Sequence, residues 1–534
     1  MKRSRLVPVP VPVAAGAVIL AMTLASCSGS SDPQGNAEEG EFVSGGTFVK
    51  SLSDDPGDIN PMKTVSPDTW EVVTLAYESL IYITPDGEAE PWLADSWTET
   101  GTEATYEIKE GITCADGSPF TAQTVADNIN YNADPANATF SYGTVITEAV
   151  SATAEGNTVT VTSTVNDPFL ATNIGTILMV CDAGLADTAA LADTTDGTGL
   201  FQLSEARPGD AYIFTKRDDY EWGPDGVTSD TVGLPDTIEA RIIADQSTVT
   251  NLLLSGELNS GVVTGPDQER LEAAGLEYVG VRNPVGQMLF NEREGRPFSD
   301  PLVREALSTA IDRDEVGPVI AGSTGLPAVS LVQKTPLLCV QDPPSWTLPD
   351  TDLDRAAELL DEAGWVLGDD GVRAKDGKPL EIKFIYDAPT ASHAPAAELV
   401  KETWDELGVV TTLVANDSAA WSDQLYTSFD WDTGWIQIAP GSPVVLALFF
   451  AGATPDEGGL NFMFVDNPEY SALAEQAKTA SPEEACGLWQ QAELELIERF
   501  DTFPVIDNIL PNYQSGAVFD QPNFIMPTTI RMLG

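Results

Sequence analysis

The residues able to do chemistry are unevenly supplied in this sequence. There is one histidine, His393, in TASHAPA. A catalytic triad or a histidine-built zinc site would have to rest on that single imidazole, and its place beside Pro395 reads as an exposed surface position. No GxSxG elbow occurs, and no GxxxxGK[ST] loop, so the chain does not itself use ATP. Asp and Glu total 83, which supplies carboxylate pairs by abundance alone; a glycosidase-type acid pair has no signal of its own. No metal or cofactor is expected. The pattern points to binding, not turnover. The segment that raises the question of what is bound is GWIQIAPGSP (434–443), inside Thr433–Pro455, a stretch without one Asp, Glu, Lys or Arg. Trp421, Trp431 and Trp435 crowd in before or within it.

Around that neutral segment the chain is strongly acidic, with a formal charge of −57 over 534 residues. A field of that sign repels phosphate backbones and excludes nucleic-acid binding as a function class. The acids are spread along the chain, not blocked, as in a solvated extracellular surface. The composition, 42% hydrophobic with 11 Trp, is that of a globular protein, and the length implies two to four lobes.

The first residues, MKRSRLVPVPVPVAAGAVILAMTLASC, combine a basic start with an apolar run. Pro8, Pro10 and Pro12 make that run a poor permanent transmembrane helix. Its end, Leu24-Ala25-Ser26-Cys27, resembles a bacterial lipobox, which implies a signal peptide over 1–26 and a lipidated Cys27. Acyl chains on one cysteine anchor stably, because each buried CH₂ contributes roughly 0.8 kcal/mol. Residues 28–44, SGSSDPQGNAEEGEFVS, read as a disordered tether reaching about 60 Å at most. The expected location is the extracytoplasmic face of the cell membrane. Four more cysteines follow: Cys114, Cys181, Cys339 and Cys486. An even count in an oxidising compartment predicts two disulfides with three possible connectivities. If each lobe is stapled internally, the pairs are Cys114–Cys181 and Cys339–Cys486; four buried free thiols are the alternative.

Helical and strand periods alternate along the chain. TWEVVTLAYESLIY places Val72, Leu75, Ala76 and Leu80 on one helical face. PLVREALSTAID does the same, with Asp300 as N-cap and Pro301 in the first turn. DLDRAAELLDEAGW is a helix closed by Gly364. NTVTVTS (157–163), YIFTKRD (212–218) and LEIKFIYD (380–387) alternate as strands, and Asp86-Gly87, Asp116-Gly117 and Asp376-Gly377 read as turns. The fold class is α/β with several sheets.

Six segments in order carry a resemblance: GGTFVKSLSDDPGDINPM (45–62), YESLIYITPDGEAEPWLADSW (77–97), TYEIKEGITCADGSPFTAQTVADNINY (105–131), GTGLFQL (197–203), LFNEREGRPFSDPLVREALSTAIDRDEV (289–316) and DLDRAAELLDEAGW (352–365). From about residue 45 onward the chain resembles the large solute-binding proteins of ABC importers for dipeptides, oligopeptides and nickel. The resemblance implies a two-lobe periplasmic-binding-protein-like fold with a hinged ligand cleft. It places the first lobe at 45–285, with 79–196 as an extra subdomain and a return at 504–534, and the second lobe at 286–503. It implies a monomer that traps solute by closure, without chemistry, and offers it to permease subunits driven by separate ATPases. The motifs themselves mostly build the fold: Thr121 caps a helix and Arg304 sits where a strand joins a packed helix. Tyr77 falls on the first helix, facing either cleft or core.

In the peptide-binding relatives a Gly-Trp-x-x-Asp-x-x-Asp-Pro stretch lies on the cleft, its first Asp pairing with the peptide ammonium. Here Gly434 and Trp435 match, but Ile438 stands at the Asp position, and Gly441 or Ser442 at the second acid before Pro443. A buried ammonium without its counter-charge costs several kcal/mol, so ordinary free-amino-terminus peptides are disfavoured. Between Lys401 and Arg499 the only cation is Lys478, so carboxylate capture there is weak as well. What remains is Trp435, Trp431 and Trp421 with Gln437 as a neutral hydrogen-bonder. That set suits sugar rings, blocked or uncharged peptides, or another neutral organic ring. A receptor feeding a sensor, or a secreted glycosidase-type enzyme, are the competing function classes.

Overall fold

The computed structural model describes residues 41–534 except 64–65, 85–87, 333–337, 341–343, 389 and 439. The leader, Cys27, most of the tether and the Asp86-Gly87 turn lie outside the described residues. The last residues assigned to the tether are not free chain. Phe42 bridges Leu533, and Val43 donates to the Met532 carbonyl at 3.0 Å.

Three sheets dominate. The largest runs, edge to edge, Tyr278–Asn283, Asp507–Gln514, Ser260–Val262, Thr47–Leu52, Thr237–Ile242, Ala211–Lys216 and Phe201–Arg207, with Gly325–Leu326 also on Asp507–Gln514. A second sheet orders Val410–Asn416, Glu381–Asp387, Thr433–Trp435, Gln287–Phe290 and Thr502–Pro504. The third is an antiparallel sheet of Ala94–Glu99, Glu103–Ile108, Thr158–Ser163 and Val150–Glu155. The predicted strands at 157–163, 212–218 and 380–387 all belong to these sheets.

The central strands of the second sheet, Thr433–Trp435 and Gln287–Phe290, are buried on both faces. Met288, Phe290, Phe384 and Trp435 enter one apolar core; Leu289, Ile385, Trp431 and Ile436 enter another. Alternation along these central strands thus feeds two cores, and neither face is left to solvent.

Helix starts follow their sequence signals. Asp300 accepts the Leu302 N–H at 3.1 Å ahead of the helix Pro301–Thr309, and Thr121 and Thr124 form a reciprocal capping box on Ala122–Ala133. Gly364 follows Leu353–Glu362 with φ +88°, as a helix stop requires. Asp376-Gly377 turns with both φ values positive, 54° and 75°. The TWEVVTLAYESLIY helix is shorter than predicted: it covers only Pro67–Val73. Tertiary pairing ends it. Gly199 donates to the Ala76 carbonyl at 2.9 Å, Met179 to the Glu78 carbonyl at 2.8 Å, and Ile81–Ile83 is a strand.

Both disulfides join neighbours within one half of the chain, Cys114 to Cys181 and Cys339 to Cys486.

Two chain segments connect the largest sheet to the second one, and they bond to each other. Val505 donates to the Gly286 carbonyl at 2.9 Å and Gly286 to the Ile506 carbonyl at 3.0 Å. Beside them Arg282 Nε donates to Asp507 at 2.8 Å. A Cβ on Gly286 would lie 2.7 Å from the Ile506 side chain, so the close approach requires glycine. A third segment closes on this ribbon: Gly325–Leu326 pairs with Asp507 and Asn508.

Candidate ligand-binding cleft

A cavity of about 750 Å³ opens against the largest sheet. That is the size range of small-molecule sites, roughly 300–1,000 Å³. Its floor comes from four strands: Lys50 and Ser51 from Thr47–Leu52, Val262 from Ser260–Val262, Val281 and Asn283 from Tyr278–Asn283, and Leu510 and Asn512 from Asp507–Gln514. The short helix Pro67–Val73 supplies Asp68, Trp70 and Glu71.

Trp70 is the centre of an aromatic cluster. Its ring stacks on Phe524, with centroids 5.8 Å apart and planes 13° from parallel. Phe140 meets it edge-on at 6.1 Å and 64°. All three rings line the cavity. Offset and edge-to-face geometries of this kind are the favourable ones for aromatic groups, and a ligand ring can extend the stack.

Each charged group of the wall has a partner, but only Lys50 and Glu71 neutralise each other. Lys50, buried, pairs with the Glu71 carboxylate and also donates to the Glu71 carbonyl at 3.2 Å. Asp68 accepts the Ser53 N–H at 2.7 Å and its hydroxyl at 2.8 Å. Asn512 takes the Ser260 hydroxyl at 2.8 Å and donates to Gln521 at 2.7 Å. The surface offered to a ligand is aromatic, with amide and hydroxyl groups at its margin, its one lysine already neutralised by Glu71, and the Asp68 carboxylate held by Ser53.

The residues selected from the sequence lie elsewhere. Trp435 is 1% exposed, on the strand Thr433–Trp435, with its ring edge-on to Phe384 at 5.3 Å. Trp431 is fully buried and packs on Phe462. Trp421 lies half-buried against the same core. Gln437 is exposed, between Ile436 and Ile438, whose N–H groups both donate to Gln287. None of these four lines the cavity at Trp70. The reason is that a central strand buried on both faces is as free of charge as a cleft wall. Gly434 has the same explanation: a Cβ there would sit 2.0 Å from the Ile385 carbonyl oxygen. Tyr77 is core too, 1% exposed, its hydroxyl accepting the Asp196 N–H at 3.0 Å. Arg304 is buried in an ion network with Glu292 and Asp501, at 3.1 and 3.0 Å.

His393 is not an open surface residue. Its Nδ1 touches the Asp387 carboxylate, and the ring bonds to the backbone of Val285 beside the connecting ribbon. Burial lowers its pKa, opposed by Asp387. Trp70, Phe140 and Phe524 escaped the sequence reading because they are far apart in the chain; only Trp70 lay in a quoted helix. Among the described residues no group of His, Cys, Asp and Glu could hold a metal ion, and no helix is long and apolar enough to cross a membrane.

Comparison with known proteins agrees on one group. Residues 88–457 match the family model described as bacterial extracellular solute-binding proteins, family 5. The oligopeptide-binding protein AppA of Bacillus subtilis is 23% identical over 516 residues, covering 87% of each chain. The glutathione-binding protein GsiB of Shigella flexneri is 24% identical, covering 78% of this chain and 80% of its own. Among solved structures, a substrate-binding protein from Microbacterium hydrocarbonoxydans complexed with 4-hydroxybenzoate hydrazide superposes with a TM-score of 0.69 at 25% identity, over 91% of this chain and 99% of that one.

Proposed function

The chain belongs to the family 5 bacterial extracellular solute-binding proteins, which capture a solute for an ABC importer, and from that premise we propose that its solute is a ring-bearing organic molecule without net charge. The observation that carries this reading is the Trp70–Phe524–Phe140 cluster on a cavity whose lysine is spent on Glu71. The relative solved with 4-hydroxybenzoate hydrazide gives a precedent on the same scaffold for a small aromatic ligand.

In this reading 45–285 with 504–534 forms one lobe, carrying 79–196 as a subdomain, and 286–503 forms the other. Solute bound at Trp70 is enclosed as the lobes rotate about the ribbon at Gly286 and Ile506, and the loaded form meets the permease. Cys27 would carry the lipid that keeps a monomeric protein at the outer face of the membrane.

The test is a thermal-shift and calorimetric panel of 4-hydroxybenzoate hydrazide, free and blocked oligopeptides, oligosaccharides and metal chelates. Ligand at 100 times its Kd adds about 2.7 kcal/mol to stability. Neutral ring compounds should give the largest shifts, and Trp70→Ala should weaken them about tenfold, the worth of one aromatic contact. Tightest binding by free peptides, with Trp70→Ala silent, would overturn the reading.

A further inference from the structure

A second cavity, of about 280 Å³, lies where the subdomain meets the helix Pro443–Phe450. One side is the loop around Val145 and Ile146 and the segment from Val165 to Leu170; the other is Val444, Val445 and Leu448. The two sides are already held together. Asn166 donates to the Lys478 carbonyl at 2.7 Å. Phe169, 6% exposed, inserts into the core that contains Trp431 and Leu446.

The polar groups around this cavity have partners. Asp167 accepts the Phe169 N–H at 2.9 Å and the Asn173 amide at 2.8 Å. Lys478 pairs with Glu475 at 2.7 Å, and the Ser442 hydroxyl caps the Val444 N–H at 3.2 Å. With those polar groups engaged, the larger share of the accessible lining is hydrocarbon, including Val165, 63% exposed, and Leu448, 40% exposed. An apolar cavity of about 150 Å³ is large enough to hold benzene. The space here fits one ring with a short alkyl tail.

We propose that this cavity is a second binding site, for an uncharged aryl or alkyl-aryl group, separate from the Trp70 wall. Phe140 belongs to the Trp70 wall and Gly143 to this cavity, so one loop divides the two chambers. Because its walls come from segments distant in the chain, an occupant adds contacts only while those segments are together, and therefore favours that arrangement. The inference does not depend on the ring-binding reading of the Trp70 wall.

The test is calorimetric titration of the purified protein with phenol, 4-ethylphenol and 4-butylphenol. Each added CH₂ should tighten binding about fourfold, as burial of a methylene predicts. Val165→Trp and Leu448→Trp each fill the cavity from an exposed position, so either can carry the test if the other fails to fold. Both should weaken 4-butylphenol at least tenfold and abolish the chain-length gradient, while Val366→Trp, at an exposed position outside both cavities, leaves the gradient unchanged. No saturable binding of 4-butylphenol overturns the proposal. So does a gradient that survives both tryptophan variants. A gradient lost only in Trp70→Ala also overturns it, and assigns the alkylphenols to the first chamber instead.

Discussion

Glu78 shows how a single buried carboxyl can set a pH dependence for the whole molecule. It accepts from Thr198 at 2.7 Å, Tyr220 at 2.7 Å and Trp222 Nε1 at 3.0 Å. Burial pushes its pKa up to about 7, and the three donors hold back part of that rise. A folded-state value above the unfolded one means that the native protein binds the proton more tightly. Stability from this group is therefore greatest below about pH 4.5 and falls as pH rises to about 7, by roughly 3 kcal/mol. Asp507, also raised to about 7 by burial, acts in the same direction. Glu78→Gln should narrow the difference in Tm between pH 5 and pH 8; an unchanged difference would remove Glu78 from the account. At this scale the sequence was a partial guide. The cysteine pairs could be reached by grouping early with early and late with late. The tryptophans could not be assigned, because absence of charge marks a doubly buried strand and a cleft wall alike, and only the pairing of Met288 with Trp435 separates them.

Elements were most legible where local chemistry decides them. Asp300 before Pro301 and Thr121 before Ala122 each satisfy backbone donors that a helix start leaves orphaned. Asp300→Ala should cost about 1 kcal/mol of stability by chemical denaturation, with the denaturant slope unchanged. A loss near zero would mean that packing of Val303 and Leu307 alone fixes that helix. The first helix failed as a prediction for the opposite reason. Its apolar spacing continues through Leu80, but the chain beyond Val73 gains more by pairing with residues 179 and 199 than by continuing a helix. Local periodicity carries no record of such distant partners.

For the whole molecule, the cavity at Trp70 is assembled from residues as far apart as Lys50, Phe140, Asn283 and Phe524. Of these, only Phe524 reaches the cavity by the chain's return through the ribbon, and no local pattern in the sequence records that juxtaposition, whereas the fold class was readable. The ribbon is also where a small change should have a large reach. Gly286→Val places a branched side chain against Ile506 and should disfavour the arrangement described here. The expected result is a severalfold weaker Kd for ring-bearing solutes and a changed radius of gyration by small-angle scattering, with both disulfides intact. Unchanged affinity and dimensions would show that the ribbon tolerates the added bulk. Next to the two-stranded sheet of Ala517–Val518 and Arg531–Met532, meanwhile, Gly534 donates to the Glu41 carbonyl at 3.0 Å and Phe42 bridges Leu533. The two ends of the folded body are thus stitched side by side. A short peptide could splice them, and new ends could be opened at an exposed turn such as Asp376-Gly377. A mechanical pull between residues 41 and 534 would load that seam before it loads the cavity at Trp70.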